Sequence, residues 1–299
     1  MNRGKWRLEL PLHLMILPGL VLVFVFSYGP MAGLSIAFQQ FLPGKGLFGS
    51  EWVGWDHFKY VYSLPDTHNV IRNTLVISVM KIAVGLVAPI VVALLLNEVR
   101  RRHFKRAVQT IVYFPHFLSW VILAGIVIDI LSPVSGIVNA GLAAVGLPKI
   151  FFLGDAGWFP FVLVGSDVWK EFGFGTIVYM AALAGINPAL YEAAVVDGAG
   201  RLKQTFHVTL PGIVPIIVLM ATLSLGNVLN AGFDQVFNLY SPTVYSTGDI
   251  LDTYVYRLGL ANGQFGVATA VGLFKSVISF LLISVSYGLA YRLANYRIF

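Results

Sequence analysis

Six stretches of this chain are predominantly apolar over more than twenty residues: 12–38, 70–97, 107–131, 159–185, 211–233 and 265–291. A helix of about 20 apolar residues crosses the hydrocarbon core of a bilayer. Lipid offers no partner to backbone N–H and C=O groups, so such stretches must satisfy them internally, as helices. The pattern predicts an all-α integral membrane protein with six transmembrane helices, a short segment at 1–11 and one membrane domain over 12–299. Charged residues make up 11% of the chain, against roughly 25% in a soluble domain. Prolines and glycines inside the stretches, such as Pro18, Gly29-Pro30, Pro89, Pro115 and Gly125, are tolerated where neighbouring helices re-satisfy the backbone. The first apolar run outlasts the core of a cleavable signal, about 7–15 residues, and reads as a span. Cysteine is absent, which excludes disulfides, thiolate catalysis and cysteine-based zinc sites.

Lysine and arginine orient the spans, because cytoplasmic connections collect them. One set of connections holds twelve: Arg3, Lys5, Arg7, Arg100, Arg101, Arg102, Lys105, Arg106, Arg201, Lys203, Arg292 and Arg297. The alternate set holds four: Lys45, Lys59, Lys149 and Arg257. The bias places both termini and the connection near residue 200 in the cytoplasm. The net charge of +6 is thus a topology signal, not a nucleic-acid footprint. The outer connections, 39–69, 132–158 and 234–264, are rich in aromatics, among them Trp52, Trp55, Phe58, Trp158, Tyr240 and Tyr254. They suit an interfacial aromatic belt or a platform for an extracytoplasmic protein.

The connection Asn187–Pro211 is the exception to the apolar pattern. Asn187 is a natural N-cap and Pro188 suits the first helical position. Asp197-Gly198 is a turn dipeptide that stops the helix. A second short helix, Arg201 to about His207, is expected next, with Leu210-Pro211 opening the following span. The spacing is specific. Glu192-Ala193-Ala194, three residues, Gly198, nine residues, then Val208-x-Leu210-Pro211 resembles the EAA loop of binding-protein-dependent ABC importer permeases. Trp52-Val53-Gly54, Tyr113-Phe114-Pro115-His116 and Tyr179-Met180-Ala181-Ala182-Leu183 are similar to segments of carbohydrate-uptake permeases. The run from Leu14 to Phe41, with Tyr28-Gly29-Pro30, resembles the subgroup that imports complex oligosaccharides.

This resemblance implies the type I ABC importer permease (MetI-like) architecture. It implies a cytoplasmic coupling helix that docks on an ATPase through Tyr191, Glu192, Ala193, Ala194, Asp197, Gly198, Ala199 and Gly200. The implied partners are a second homologous permease forming a heterodimer, two ATP-binding-cassette subunits that carry ATP and Mg, and an extracytoplasmic solute-binding lipoprotein. The whole would sit in a bacterial plasma membrane and translocate an oligosaccharide.

Ionisable residues inside spans usually face the protein interior. Lys81, Asp129, Asp167, Lys170, Glu171 and Lys275 are of this kind. Asp167 and Lys170 are three apart, so they share a helix face and can pair; Glu171 and Lys275 are a second candidate pair. Asn227 and Asn230, also three apart, lead to Phe233 and Asp234. Sugars are held by polar planar groups and aromatic faces. The candidate substrate path is therefore Asp167, Trp169, Lys170, Glu171, Asn227, Asn230, Phe233, Asp234 and Lys275, with interhelical pairing as the alternative role. There is no phosphate-binding Gly-x-x-x-x-Gly-Lys loop, no paired histidines for a metal and no nucleophile elbow. ATP hydrolysis and catalysis are not expected of this chain. An ion-coupled secondary transporter and an ABC permease for a non-sugar solute are the alternatives.

Overall fold

A computed structural model of the chain describes the backbone of residues 3–294 and the side chains of residues 10–288. The side chains of Arg3, Lys5, Arg7, Arg292 and Arg297, counted above, lie outside the described residues. The chain is an all-α membrane protein. Four helices are long and apolar enough to cross a bilayer, Leu10–Phe38, Pro65–Glu98, Arg201–Gly226 and Phe265–Gly288, and two bent helix pairs raise the number to six.

The chain divides into two units, residues 1–63 with 255–274 and residues 64–254 with 275–299. In the first, α1 (Arg3–Val23) runs on through a π turn at Phe24–Tyr28 into a 3-10 helix at Gly29–Phe38. The wider π turn lies just before Gly29-Pro30, and Pro30 sits at the start of the 3-10 helix, where its missing N–H costs least. Gln39 pairs with Trp52 in a two-residue ladder. Phe38 stacks on Trp52 at 5.6 Å and packs against Trp55 and Phe58, both at 5.4 Å. These aromatics therefore form a cluster of their own.

The second unit contains α2 (Pro65–Glu98), α3 (Arg102–Tyr113), α4 (Trp120–Leu131), α5 (Phe159–Ala184), α6 (Pro188–Val196), α7 (Arg201–Gly226) and α8 (Phe233–Leu239). It also takes the later part of α9 (Phe265–Ala294). Pro65 and Pro160 stand in the first turns of α2 and α5, where a missing N–H is harmless. α5 packs along α2 and also against α3, and small residues on α5 permit both close approaches. A Cβ on Gly173 would run into the Val112 carbonyl group, and one on Gly175 would lie 3.0 Å from the Pro89 ring. Gly173→Ala is expected to destabilise by about 1–3 kcal/mol, the range for overpacking against an unyielding neighbour. A thermal melt of the purified protein in detergent measures it.

Two expected spans differ from the structure. The stretch 107–131 is not one helix: it bends by 108° between Phe117 and Trp120. Pro115 removes a donor there, and Ser119 starts α4 by accepting from the Ile122 N–H at 3.4 Å. The stretch 211–233 is displaced, because α7 begins at Arg201 and ends at Gly226. The expected short helix is present only as Arg201–Gln204 and does not stand apart from the span. Instead a π turn at Thr205–Thr209 carries the helix into Leu210-Pro211, widening it just before the proline ring needs room.

Candidate functional site

Read from their N-terminal ends, α2 and α5 alternate apolar, polar and apolar. Ile77, Phe159 and Leu163 belong to one buried cluster, and Ala93, Tyr179 and Leu183 to another. Between them lie Ser78, Lys81 and Gly85 on α2, and Ser166, Asp167 and Lys170 on α5. This polar band opens into a cavity of about 260 Å³ lined by Ser78, Lys81, Gly85, Asp167, Ser224, Asn227 and Asn230, with Ile82, Ala231 and Gly232.

Lys81, 8% exposed, organises the band. Its Nζ donates to Asp167 Oδ1 at 3.2 Å, to the Ala231 carbonyl at 2.6 Å and to Gln235 Oε1. Gln235 in turn donates to the Leu163 carbonyl and to Ser166 Oγ, each at 2.7 Å. A buried cation is tolerated only when paired and hydrogen-bonded, and here all three ammonium protons are used. Gly232 closes the loop over it at φ +95°, a conformation that favours glycine, and a Cβ there would approach Nζ to 3.1 Å. A second lysine holds the same loop. Lys275 donates to Asp252 and to Asn230 Oδ1, the latter at 3.2 Å.

The connection after α5 is equally well built. Asn187 Oδ1 accepts from the Ala189 N–H at 3.0 Å and caps α6. At its far end Gly198, at φ +73°, lets the Ala199 N–H reach the Ala194 carbonyl at 2.8 Å and the Gly198 N–H reach Val195 at 3.0 Å. These two bonds form a Schellman stop. Tyr191 Oη bonds Thr209 Oγ1 at 3.0 Å, and Arg201 pairs with Glu98 at 2.5 Å. Glu192 and Ala193 project exposed from α6.

Residues 85–297 match the model of the binding-protein-dependent transport system inner membrane component family. The chain belongs to this family. A polygalacturonan/rhamnogalacturonan transport system permease of Bacillus subtilis is 42% identical over 96% of the chain and 90% of that protein. A bacterial ABC transporter chain involved in import of the acidic polysaccharide alginate superposes with a TM-score of 0.89, at 41% identity over 97% of this chain and 98% of that one. A structure of the bacterial alginate transporter in complex with its alginate pentasaccharide-bound periplasmic protein matches equally well, with a TM-score of 0.89 at 40% identity over 97% and 96%. The chain is thus a membrane permease subunit of the ABC importer type.

In this permease the residues singled out from sequence separate into four places. Asp167, Asn227 and Asn230 line the polar cavity. Lys275 touches it through Asn230. Trp169 does not: it lines a separate apolar pocket of about 400 Å³ with Phe152, Trp158 and Phe161. Phe233 and Asp234 begin α8 outside the cavity lining; Phe233 stacks on Phe237 at 5.2 Å. Lys170 and Glu171 secure the broken third span. Lys170 Nζ donates to the carbonyls of His116 at 2.6 Å and Leu118 at 3.0 Å, and Glu171 meets His116 Nδ1 at 2.8 Å. The break exposes carbonyls that the helix no longer satisfies, and a cation is the natural cap for them.

Both expected ion pairs are therefore replaced. Asp167 pairs with Lys81, not Lys170, and Glu171 and Lys275 have different partners. Asn227 and Asn230 do not share a helix face, because α7 ends at Gly226 and they stand on the turn beyond it. Ser78, Gly85, Ser224 and Gln235 escaped the sequence reading. Ser78, Lys81 and Gly85 recur at intervals of three and four in α2, a signal that would have marked one polar strip.

Proposed function

We propose that this permease carries oligosaccharides, fragments of acidic polysaccharides, into a bacterial cell. The observation that carries the reading is the polar cavity enclosed between two apolar layers of the membrane unit, in a chain whose relatives are named for polygalacturonan, rhamnogalacturonan and alginate transport. A hydroxyl-rich solute needs a path of donors and acceptors through the apolar interior. Asn227, Asn230, Ser224 and Asp167 supply both kinds.

On this reading the permease works with a second homologous permease as a heterodimer, two ATPase subunits that hold ATP and Mg, and an extracytoplasmic solute-binding lipoprotein. Both termini and α6 lie in the cytoplasm, as the lysine and arginine bias requires. The capped helix Pro188–Val196 docks on an ATPase through the surface around Glu192 and the Gly198 turn. Closure of the ATP-bound dimer moves α6, and the spans open outward to receive the sugar. Hydrolysis resets them, an alternation between two states that each ligand biases.

The test is uptake by the whole importer in proteoliposomes, with labelled oligogalacturonides and the binding protein outside and ATP inside. Uptake should require ATP and survive a protonophore. Uptake that collapses with the protonophore while ATP is held constant would mean ion coupling instead.

A further inference from the structure

The cavity face of α2 contains a serine hydroxyl without a partner among the described residues and a backbone carbonyl that lacks its regular helical donor. Ser78 is 2% exposed, it lines the cavity, and its Oγ has no hydrogen-bond partner among the described residues. A serine or threonine inside a helix commonly donates to the carbonyl one turn back. Thr74 does so, to Val70 at 2.7 Å, but Ser78 does not. The second group is the Gly85 carbonyl. In a regular helix it would accept from the N–H of residue 89. Residue 89 is proline and has no N–H. Gly85 also lines the cavity, and a Cβ built on it meets nothing within 4 Å. Having no side chain, Gly85 presents backbone to that space. Pro89 is held in place by Gly175, whose Cβ position lies 3.0 Å from its ring, and by Thr176 Oγ1, which donates to the Pro89 carbonyl at 3.4 Å.

We propose that Ser78 Oγ and the Gly85 carbonyl form a subsite for the hydroxyl-bearing edge of the transported carbohydrate, with Pro89 as the positioning residue that leaves the carbonyl free. The proposal rests on the carbohydrate reading above. Seven residues separate the two groups, about 10 Å along a helix, so the strip follows more than one sugar ring. The carbonyl accepts from a sugar hydroxyl, and Ser78 donates to a sugar oxygen. Lys81, midway between them, is committed to Asp167, Ala231 and Gln235, so it has no proton left for either group. A carbonyl repels a carboxylate, so the acidic groups of a uronate chain would face away from α2 here.

The experiment uses the intact importer in proteoliposomes with its binding protein and labelled oligogalacturonides. Ser78→Ala should lower uptake about tenfold, one hydrogen bond's contribution to a bound state, with assembly unchanged, and Pro89→Ala, which gives the Gly85 carbonyl a donor, should lower it by a similar factor. Gly85→Ala, which enters open space, should lower uptake without loss of assembly. An O-methylated oligogalacturonide has no hydroxyl for the carbonyl, so wild type and Pro89→Ala should carry it equally slowly. Normal oligogalacturonide uptake by Ser78→Ala and Gly85→Ala overturns the subsite, whatever Pro89→Ala does to packing. If the wild-type importer carries no oligogalacturonide or other oligosaccharide, the transport reading itself fails.

Discussion

Lys81→Ala is expected to deplete the membrane of folded permease. The substitution strands the Asp167 carboxylate, the Ala231 carbonyl and Gln235 Oε1 around a space where the ammonium group stood. Removing one member of a buried ion pair costs about 3–5 kcal/mol, and the lower end applies here, because Asp167 keeps 26% of its side chain exposed to the cavity. Total stability of a domain is only about 5–15 kcal/mol. Loss of Lys81 also removes one of the two lysines that hold the loop 227–232, so the damage reaches the cavity. The matched double variant, Lys81→Met with Asp167→Leu, should recover much of the loss, since replacing both ions by apolar side chains is often neutral. Comparing yield and melting temperature of the single and double variants in detergent measures the coupling. A single variant as stable as wild type would mean that the network does not hold the bundle.

The same network shows how much of the molecule was legible in the sequence. The apolar runs revealed the spans because the bilayer imposes their length and composition residue by residue. The Asn187 cap and the Asp197-Gly198 stop were legible for a similar reason: each is a local device of a few adjacent residues. The partners of the buried charges were not. Spacing along one helix identifies neighbours on that helix, so Asp167 pointed to Lys170. The partner the fold supplies, Lys81, lies 86 residues away, on a helix whose rotation no local pattern specifies. The end of α7 was hidden too. Leu225–Val228 stays apolar apart from Asn227, and only the turn to Gly232 shows that the helix has already stopped. Trp169 was assigned to the sugar path on chemistry alone, yet its helix points it to an apolar pocket on the other side from Asp167.

Glu192→Lys should leave the permease folded and disconnect it from its energy source. Glu192 is exposed on α6 and has no ion pair or hydrogen bond of its side chain among the described residues, so its replacement should change stability by no more than about 0.5 kcal/mol. On the coupling reading it meets the ATPase, and a lysine there turns an attractive contact into a repulsive or unpaired one. Truncating a charge that is buried across an interface costs about 2–5 kcal/mol. A loss of about 3 kcal/mol is more than a hundredfold in association, and ATP-driven uptake should fall accordingly. Gly198→Ala provides the contrast. It strains a residue held at φ +73°, at about 1–3 kcal/mol, and so weakens the shape of the docking element without reversing its charge. Co-purification of the ATPase with each variant, measured beside uptake and melting temperature, separates the two effects. Uptake at the wild-type rate in Glu192→Lys would remove α6 from the path by which ATP hydrolysis reaches the cavity.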